Sequence, residues 1–379
     1  MVNLPIPAAH TATIPFAERT FVALDGLRGV AAIMVALRHA PFLWEGAPGP
    51  TGWMRNGYLA VDLFFVLSGF VLEHAYRKRF LQGMPVRSFM LARVQRLYPL
   101  YALAFILSLP FLLGQLADGV PDSVQRTLGL LCSALMLPTP NAAYPDADLY
   151  PFNFAAWSLL FELAANLLFA VFGARLGTKS LIRLVSGFAV ALVVCAAMGW
   201  LGFGIEVGKR GVLGGGPTWE TFGAGVIRVG FSFFAGVLLY RFHETARLQP
   251  ARSGFALGAF ALVTAILAVG FPASLDLALS LVSVLVVFPL AIMICARFDP
   301  PKGALASIMQ TLGLLSYGIY VLQVVTFHAV EVCALQLGIQ SALVGLVAIP
   351  IVAAVAYAAT VFVDVPVRLT MKQALKGLA

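Results

Sequence analysis

The sequence has few charged residues and lacks any long polar stretch. Of its 379 residues only 11% are charged and 60% are hydrophobic, whereas soluble domains average about 25% charged residues. It also lacks an acidic or basic tail of low complexity. These absences exclude a chain of ordinary soluble domains, and they predict that residues 1–379 form one membrane domain.

Cysteine is scarce too, and its positions predict neither a disulfide nor a metal site. A metal site or a disulfide framework requires characteristic spacings and nearby partners. The four cysteines instead lie inside apolar segments, with no CxxC spacing: Cys132, Cys195, Cys295 and Cys333. We therefore expect small buried side chains and no metal.

The net charge of +8 would suggest a nucleic-acid partner if the protein were soluble. Here the lysines and arginines cluster in short loops between apolar stretches, which is how membrane topology is set. We therefore expect the lipid bilayer and no nucleic acid as a partner. The sequence leaves a homo-oligomer open.

Apolar segments long enough to span a bilayer, about 20 residues each, occur ten times. They are 22–43, 57–74, 97–116, 154–173, 181–204, 219–240, 253–271, 276–296, 307–335 and 341–363. The first carries several charges, unlike the apolar core of a cleavable signal peptide, so we interpret it as a retained helix. An eleventh segment, 128–137, is shorter and ends at Pro138. The expected fold is an all-α membrane protein of about ten transmembrane helices.

The distribution of charge predicts the orientation of these helices. If 128–137 does not cross, most of the 25 lysines and arginines lie on the side that holds both termini, as expected of the cytoplasmic side. If it crosses, every later loop changes side and the asymmetry is lost. We expect 128–137 to be re-entrant or interfacial, with the tails 1–20 and 364–379 in the cytoplasm. This describes a multi-pass protein of a cell membrane, with the bacterial inner membrane as the expected location.

Ionisable side chains inside the predicted spans mark a site, because a charge at mid-bilayer is costly unless it faces protein or a partner. Arg28 and His39 share one face of the first helix, roughly 16 Å apart along its axis. Asp62 on the second helix and Glu162 on the fourth lie at depths close to that of His39. We predict that His39, Asp62 and Glu162 line a buried catalytic pocket in which Asp62 orients His39. The alternative is a polar network that only holds helices in register.

Several other features stay open at the level of sequence. Trp157 suits both an aromatic belt and a wall on which a substrate stacks. His328 and Glu331 are interpreted as a structural pair at positions i and i+3. The outer segment 117–153 is rich in proline and aspartate. A cap over a cavity and a structured connector fit its composition equally well. The glycine run at 213–217 predicts a flexible loop.

Six motifs, in order along nearly the whole chain, resemble those of acyltransferase family 3. The first holds Arg28, ten further residues and then His39, the hallmark of that family. The motifs are Phe21–Gly29 with His39, Val61–Phe70, Phe89–Pro99, Trp157–Glu162, Leu315–Tyr320 and Val363–Pro366. Gln323 departs from the pattern, since a histidine often stands there, and we assign it no proton-transfer role. We expect no fused extracellular hydrolase-like domain.

The resemblance implies a membrane O-acyltransferase. The donor would be a cytoplasmic acyl-CoA, commonly acetyl-CoA, and the acceptor a hydroxyl of an exported glycan, a lipid-linked sugar or a small natural product. His39 would deprotonate that hydroxyl or carry the acyl group transiently, with Asp62 and Glu162 beside it. Trp157 and Ser158 would contact the substrate, and either Ser158 or a helix backbone group would stabilise the oxyanion.

The phosphates of coenzyme A are expected to meet arginines at the cytoplasmic side. Arg93 and Arg96 lie on one face of a helix, and arginine suits phosphate through its planar donor fork. Arg28 would lie along the path of the pantetheine arm. Arg93 and Arg96 belong to a predicted cytoplasmic group of six cations: Arg77, Lys78, Arg79, Arg87, Arg93 and Arg96. Ordinary positive-inside bias accounts for part of that group.

Three other functions fit parts of the pattern. A transporter or flippase would use the same charges as a substrate path without acyl transfer. A non-catalytic scaffold would use them only for assembly. An unrelated membrane O-acyltransferase with an Asn and His pair is disfavoured, because the spacing from Arg28 to His39 argues against it.

Overall fold

The computed structural model describes residues 21–43, 53–117, 123–140, 148–205, 212–245, 253–298 and 300–376, and their regular structure is helical. The first six helices are α1 (Val22–His39), α2 (Ala60–Leu81), α3 (Val86–Ala117), α4 (Ser123–Ala134), α5 (Trp157–Val171) and α6 (Thr178–Met198). The others are α7 (Phe222–Thr245), α8 (Ser253–Ala268), α9 (Asp276–Cys295), α10 (Ala304–Gln336), α11 (Ala342–Ala359) and α12 (Val365–Lys376). Single π-helical turns interrupt α9 at Ser283–Val287 and join α11 to α12 at Thr360–Asp364.

The all-α membrane fold expected from the sequence is confirmed. Within the described residues, eight helices are long and apolar enough to cross a membrane. The two other predicted spans are also helices: α1 has 18 residues and carries Asp25, Arg28 and Arg38, and α8 has 16 residues. At 1.5 Å per residue, α8 reaches about 24 Å, somewhat short of the roughly 30 Å hydrocarbon core.

Helix α4 covers residues 128–134 of the short segment 128–137 and ends against the middle of α3. Its 12 residues reach only about 18 Å. Tyr98 and Tyr101, in the middle of α3, donate hydrogen bonds to the carbonyl oxygens of Ala134 and Ser133 at the end of α4. The chain then turns back at Met136, whose φ is 59°. The end of the segment is thereby held against α3 inside the bundle, and its re-entrant or interfacial placement in the membrane stays a prediction.

Two glycines let α2 and α7 cross at backbone contact. A Cβ atom on Gly69 would lie 1.9 Å from the carbonyl oxygen of Phe233, and one on Gly236 would lie 2.0 Å from that of Val66. Any larger side chain at either position would push the helices apart. Small residues at such crossings are a common means of close helix packing in membranes.

The helices that matter for function surround one cavity. Helix α10 packs along α1 and α11, α3 packs against α5 and α10, and α2 packs against α7. We name the end of the bundle where α2 ends the basic end, since it holds Arg77, Lys78, Arg79 and Arg87. The end where α1 terminates at His39 is the distal end.

The glycine run 213–217 before α7 makes specific contacts with its neighbours, although its composition predicts a flexible loop. The carbonyl oxygen of Gly215 accepts a hydrogen bond from Arg228 at 2.8 Å, and the amide of Gly216 donates to Thr221 Oγ1. Gly216 has φ 120° and packs against the ring of Trp157 at a distance that no Cβ would tolerate. Composition indicated freedom, but the buried arginine and the tryptophan ring hold this backbone.

Candidate active site

An elongated cavity runs through the centre of the bundle. Its volume is about 490 Å³, and it lies among α1, α2, α3, α5 and α10. The residues of α2 that line it extend from Val61 to Ala75, a rise of about 21 Å. The volume falls within the usual range of ligand sites, about 300–1,000 Å³. The cavity thus follows much of the bilayer thickness, and its lining near the basic end includes Phe21 and His74.

Five residues predicted from the sequence as site residues line this central cavity: Arg28, Arg93, Arg96, Ser158 and Glu162. They come from three different helices, α1, α3 and α5, and most of their neighbours in the sequence are apolar. The three-dimensional fold therefore gathers polar groups that the sequence spreads over 135 positions, from 28 to 162.

Each arginine of the central cavity is paired with a carboxylate. Arg28 contacts Asp25 at 3.1 Å, and Arg93 contacts Glu162 at 2.8 Å. Arg96 lies 3.6 Å from Asp364, which comes from the π-helical turn before α12 and is 1% exposed. Pairing of this kind keeps charges tolerable inside the membrane. Every guanidinium carries five N–H donors, so pairing leaves donors for a ligand.

Arg28 is fixed to α10 as well as to Asp25. Its Nε donates to Ser316 Oγ at 3.0 Å, and its NH2 donates to the carbonyl oxygen of Gly313 at 2.8 Å. The side chain is therefore held in the cavity wall, with its position determined by three separate acceptors.

Two hydroxyl groups form part of the wall of the central cavity on the side nearest the distal end of the bundle. Ser158 Oγ and the Tyr320 hydroxyl lie 2.8 Å apart, and both reach the carbonyl oxygen of Ala155. Both residues are buried. A hydroxyl that is hydrogen-bonded in a buried site is well suited to contact a polar group of a substrate.

A second, smaller cavity of about 290 Å³ lies at the distal end and contains His39. The imidazole packs on the ring of Phe154 at 4.8 Å between centroids. We name it the distal pocket; it is lined by His39, Ser108, Phe111, Pro151, Phe152, Phe154, Val324, Val325, Phe327, His328 and Glu331. Part of the outer segment 117–153 thus forms its wall.

One helical turn separates the two cavities. Tyr320 lines the central cavity and Val324 lines the distal pocket, about 6 Å apart along α10. Where α5 begins, Ser158 likewise lines the central cavity, and Phe154, four residues before it, lines the distal pocket. We name the protein between the central cavity and the distal pocket the partition. The hydrogen-bonded hydroxyls of Ser158 and Tyr320 are its polar part.

Comparison with known proteins places this arrangement in a family. A family model described as an acyltransferase domain matches residues 21–363. The chain belongs to acyltransferase family 3. No solved structure matches the acyltransferase.

Curated relatives share different parts of the acyltransferase. Protein 2 of the picA locus of Rhizobium radiobacter is 39% identical over 47% of this chain and 95% of that protein. The exopolysaccharide production protein ExoZ of Rhizobium meliloti is 28% identical over 75% of this chain and 80% of that protein. The peptidoglycan O-acetyltransferase OatA of Listeria monocytogenes is 29% identical over 23% of this chain and 13% of that protein. These matches agree with membrane acyl transfer as the activity.

The arrangement predicted around His39 needs correction. Asp62 does not face His39: its two carboxylate oxygens contact Arg228 on α7, at 3.3 and 2.6 Å, and Ser232 lies 3.4 Å away. Glu162 lies in the central cavity beside Arg93, whereas His39 is exposed in the distal pocket. The reason is electrostatic, since a buried carboxylate is held most strongly by a guanidinium, and each acid has one nearby.

Two further sets of residues singled out from the sequence lie away from the central cavity. Trp157 does not line the central cavity; it is 7% exposed and packs on Phe161, Gly216 and the Arg228 guanidinium. Of the six cations grouped at the basic end, Arg77 and Lys78 pair with Glu244 of α7. Those two side chains brace α2 against α7 and do not reach the cavity lining.

Sequence reasoning missed the roles of Arg228, Tyr320 and Asp364. Arg228 has no acidic residue within one helical turn of it in the sequence, and its partner Asp62 lies 166 positions away. Tyr320 and Asp364 were seen only as parts of distal motifs. Among the described residues, no cluster of His, Cys, Asp and Glu suits a metal ion.

Proposed function

We propose that this acyltransferase moves an acyl group, acetyl in the expected case, from cytoplasmic acyl-CoA to a hydroxyl group. The acceptor would be a glycan, a lipid-linked sugar or a small natural product at the opposite membrane face. One observation carries the proposal: a cavity that contains three arginines extends about 21 Å along α2 and stops, along α10, one helical turn from the pocket that holds His39.

The basic end is the cytoplasmic end in this proposal. Lysines and arginines concentrate on the cytoplasmic side of membrane proteins, and α2 and α3 meet at this end with Arg77, Lys78, Arg79 and Arg87. Both termini then lie in the cytoplasm of a cell whose inner membrane holds the enzyme. Acyl-CoA is made in the same compartment, so the donor would enter the central cavity without crossing the bilayer.

The arginines of the central cavity suit an anionic, hydrogen-bonding donor. Arg93 Nε is buried and has no hydrogen-bond partner among the described residues, while its NH2 pairs with Glu162. We assign Arg93 and Arg96 to the phosphate-bearing part of coenzyme A, because guanidinium groups match phosphate geometry. Arg28 lines the same cavity, where Ser316 and Gly313 of α10 hold its side chain. We assign it to contact with the pantetheine arm.

The transfer step needs a base on the acceptor side. His39 would take the proton of the acceptor hydroxyl as its oxygen attacks the thioester carbonyl carbon. A C–O bond forms, the C–S bond breaks, and the proton goes to the departing thiolate to give coenzyme A. In the two-step alternative, His39 first takes the acyl group from the thioester, and the acceptor hydroxyl then takes it from His39.

Ser158 and Tyr320 lie where the acyl end of the donor would cross the partition. Their hydroxyls are joined at 2.8 Å, and either is a donor for the oxyanion that forms on the carbonyl oxygen. The acyl carbonyl would have to displace this hydrogen bond to reach His39. The partition would thereby shield the thioester from water until an acceptor is present.

Consumption of the thioester tests the proposal directly. The purified protein is reconstituted in liposomes, supplied with acetyl-CoA, and mixed with membranes from host cells that lack the gene as a source of acceptor. We expect release of coenzyme A thiol and formation of an acetyl ester in equal amounts. Movement of a glycan across the bilayer without thiol release would instead identify a transporter or flippase.

Asp364 is expected to support donor binding through Arg96. Because Asp364 is 1% exposed and holds Arg96 and Arg368 together, the change Asp364→Asn removes the charge that positions Arg96. Hydrogen bonds to charged groups contribute about 1.5–3 kcal/mol, so we expect the KM for acetyl-CoA to rise about tenfold, with a smaller change in kcat.

The matched control is Arg368→Gln. It removes the other cation of Asp364, at 2.7 Å, but leaves the contact with Arg96. A KM close to that of the wild type is expected. An equal rise in KM for both variants would show that the whole turn, rather than Arg96, had been disturbed.

A further inference from the structure

A long apolar groove lies beside the distal pocket. Its volume is about 790 Å³, and α3, α10 and α11 form its walls. On α11 the lining residues run from Leu343 to Val355, which is about 18 Å. That length is close to half of the roughly 30 Å hydrocarbon core, so the groove spans about one leaflet. Val347 and Leu343 are exposed along it.

The groove and the distal pocket share part of one wall. Phe111 and Val325 line both cavities. Phe111 also packs edge-on against the imidazole of His328, at 4.6 Å between centroids. A molecule could therefore lie across Phe111 with one part in the groove and another in the pocket.

The two cavities differ sharply in chemistry. The groove is lined by aliphatic and aromatic side chains, with Thr326 and Cys333 as its more polar members. The distal pocket contains His39, Ser108, and the pair formed by His328 and Glu331, whose Nδ1 and Oε2 lie 3.9 Å apart. This pair, interpreted from the sequence as structural, thus lies in the same pocket as His39.

We propose that the acceptor is an amphiphile whose hydrocarbon tail occupies the groove while its hydroxyl-bearing head occupies the distal pocket. The proposal rests on the proposed function and narrows it to an acceptor that is carried on lipid. His328 and Glu331 then bind hydroxyl groups of the head, which brings one of them to His39.

The groove contributes position rather than affinity. A hydrocarbon chain gains little by leaving lipid for an apolar protein surface, because both environments are equally dry. A tail held along α11 does, however, fix the depth and direction of its head group. Orientation of two reactants is a large source of rate enhancement. Lateral entry also lets a membrane-borne acceptor reach His39 without passing through water.

The first test asks where the transferred group goes. Membranes from the host, with or without the wild-type gene, are incubated with radiolabelled acetyl-CoA and separated into solvent-extractable lipid, water-soluble and polymer fractions. We expect gene-dependent label to enter the lipid fraction first. Label confined from the start to the water-soluble or polymer fraction would overturn the amphiphilic acceptor while leaving acyl transfer intact. Absence of both label and thiol release would overturn the proposed function as well.

The second test blocks the groove. Val347→Trp places a large ring in it, whereas Leu346→Trp adds the same ring on the neighbouring residue, which is outside the groove lining. The two positions are matched in exposure, at 56% and 51%. We expect Val347→Trp to lower the initial rate of lipid labelling at least tenfold, with Leu346→Trp within about twofold of wild type. Equal rates for the two variants would overturn the proposal, because the groove would then hold only bulk lipid.

Discussion

Replacing His39 with alanine is expected to lower the rate of acyl transfer by about 10²–10⁴-fold, the usual contribution of a positioned general base. His39 lines the distal pocket, imidazole is the side chain suited to proton transfer near neutral pH, and His39 lies about 16 Å along α1 from Arg28. The measurement is the formation of acetyl ester by purified protein in liposomes. Binding of acetyl-CoA should change little, since the arginines of the central cavity are untouched.

Chemical rescue separates a lost base from a disturbed fold. Because His39 is exposed in an open pocket of about 290 Å³, imidazole added to the buffer should enter and restore part of the activity of His39→Ala. His39→Gln keeps polar contacts but cannot titrate, and it should be as slow as the alanine variant. Near wild-type rates for both variants without imidazole would refute a role for His39 as base.

Much of the fold could be predicted because the bilayer imposes it. The hydrophobic segments of spanning length are helices in the structure, whereas α4, which covers much of 128–137, has only 12 residues. Local spacing also served well within a helix: Asp25 and Arg28, three residues apart, are in contact at 3.1 Å. These features depend on short-range geometry and composition, which a sequence contains explicitly.

Partners between helices could not be predicted in the same way. Asp62 and His39 have similar depths, yet depth does not say which neighbouring helix a side chain faces. Asp62 turns toward Arg228 on α7, because Gly69 and Gly236 bring α2 and α7 into backbone contact. The distal pocket was missed for a similar reason, since its walls come from α1, α3, α10 and the chain before α5. Rotation of each helix about its axis is decided by packing across the whole bundle.

Changing Asp62 to alanine is expected to lower the free energy of unfolding by about 3–5 kcal/mol, because it leaves a buried guanidinium without its counter-ion. The side chains of Asp62 and Arg228 are 1% and 4% exposed, and their closest atoms are 2.6 Å apart. Arg228 also holds the carbonyl oxygen of Gly215 and contacts the ring of Trp157. The loss should therefore appear as earlier thermal unfolding in detergent, with loosening of the loop at 212–217.

The double variant Asp62→Leu with Arg228→Met distinguishes a structural pair from a catalytic acid. Removing both charges avoids the uncompensated guanidinium, so we expect the double variant to be more stable than Asp62→Ala, although the unpaired carbonyl of Gly215 keeps it below wild type. If Asp62 only joins α2 to α7, the folded double variant should transfer acyl groups at a rate within about tenfold of wild type. A stable but inactive double variant would return Asp62 to the catalytic role that its depth in the membrane first suggested. The pair of measurements, stability and rate on the same protein, is needed because a single substitution at Asp62 alters both.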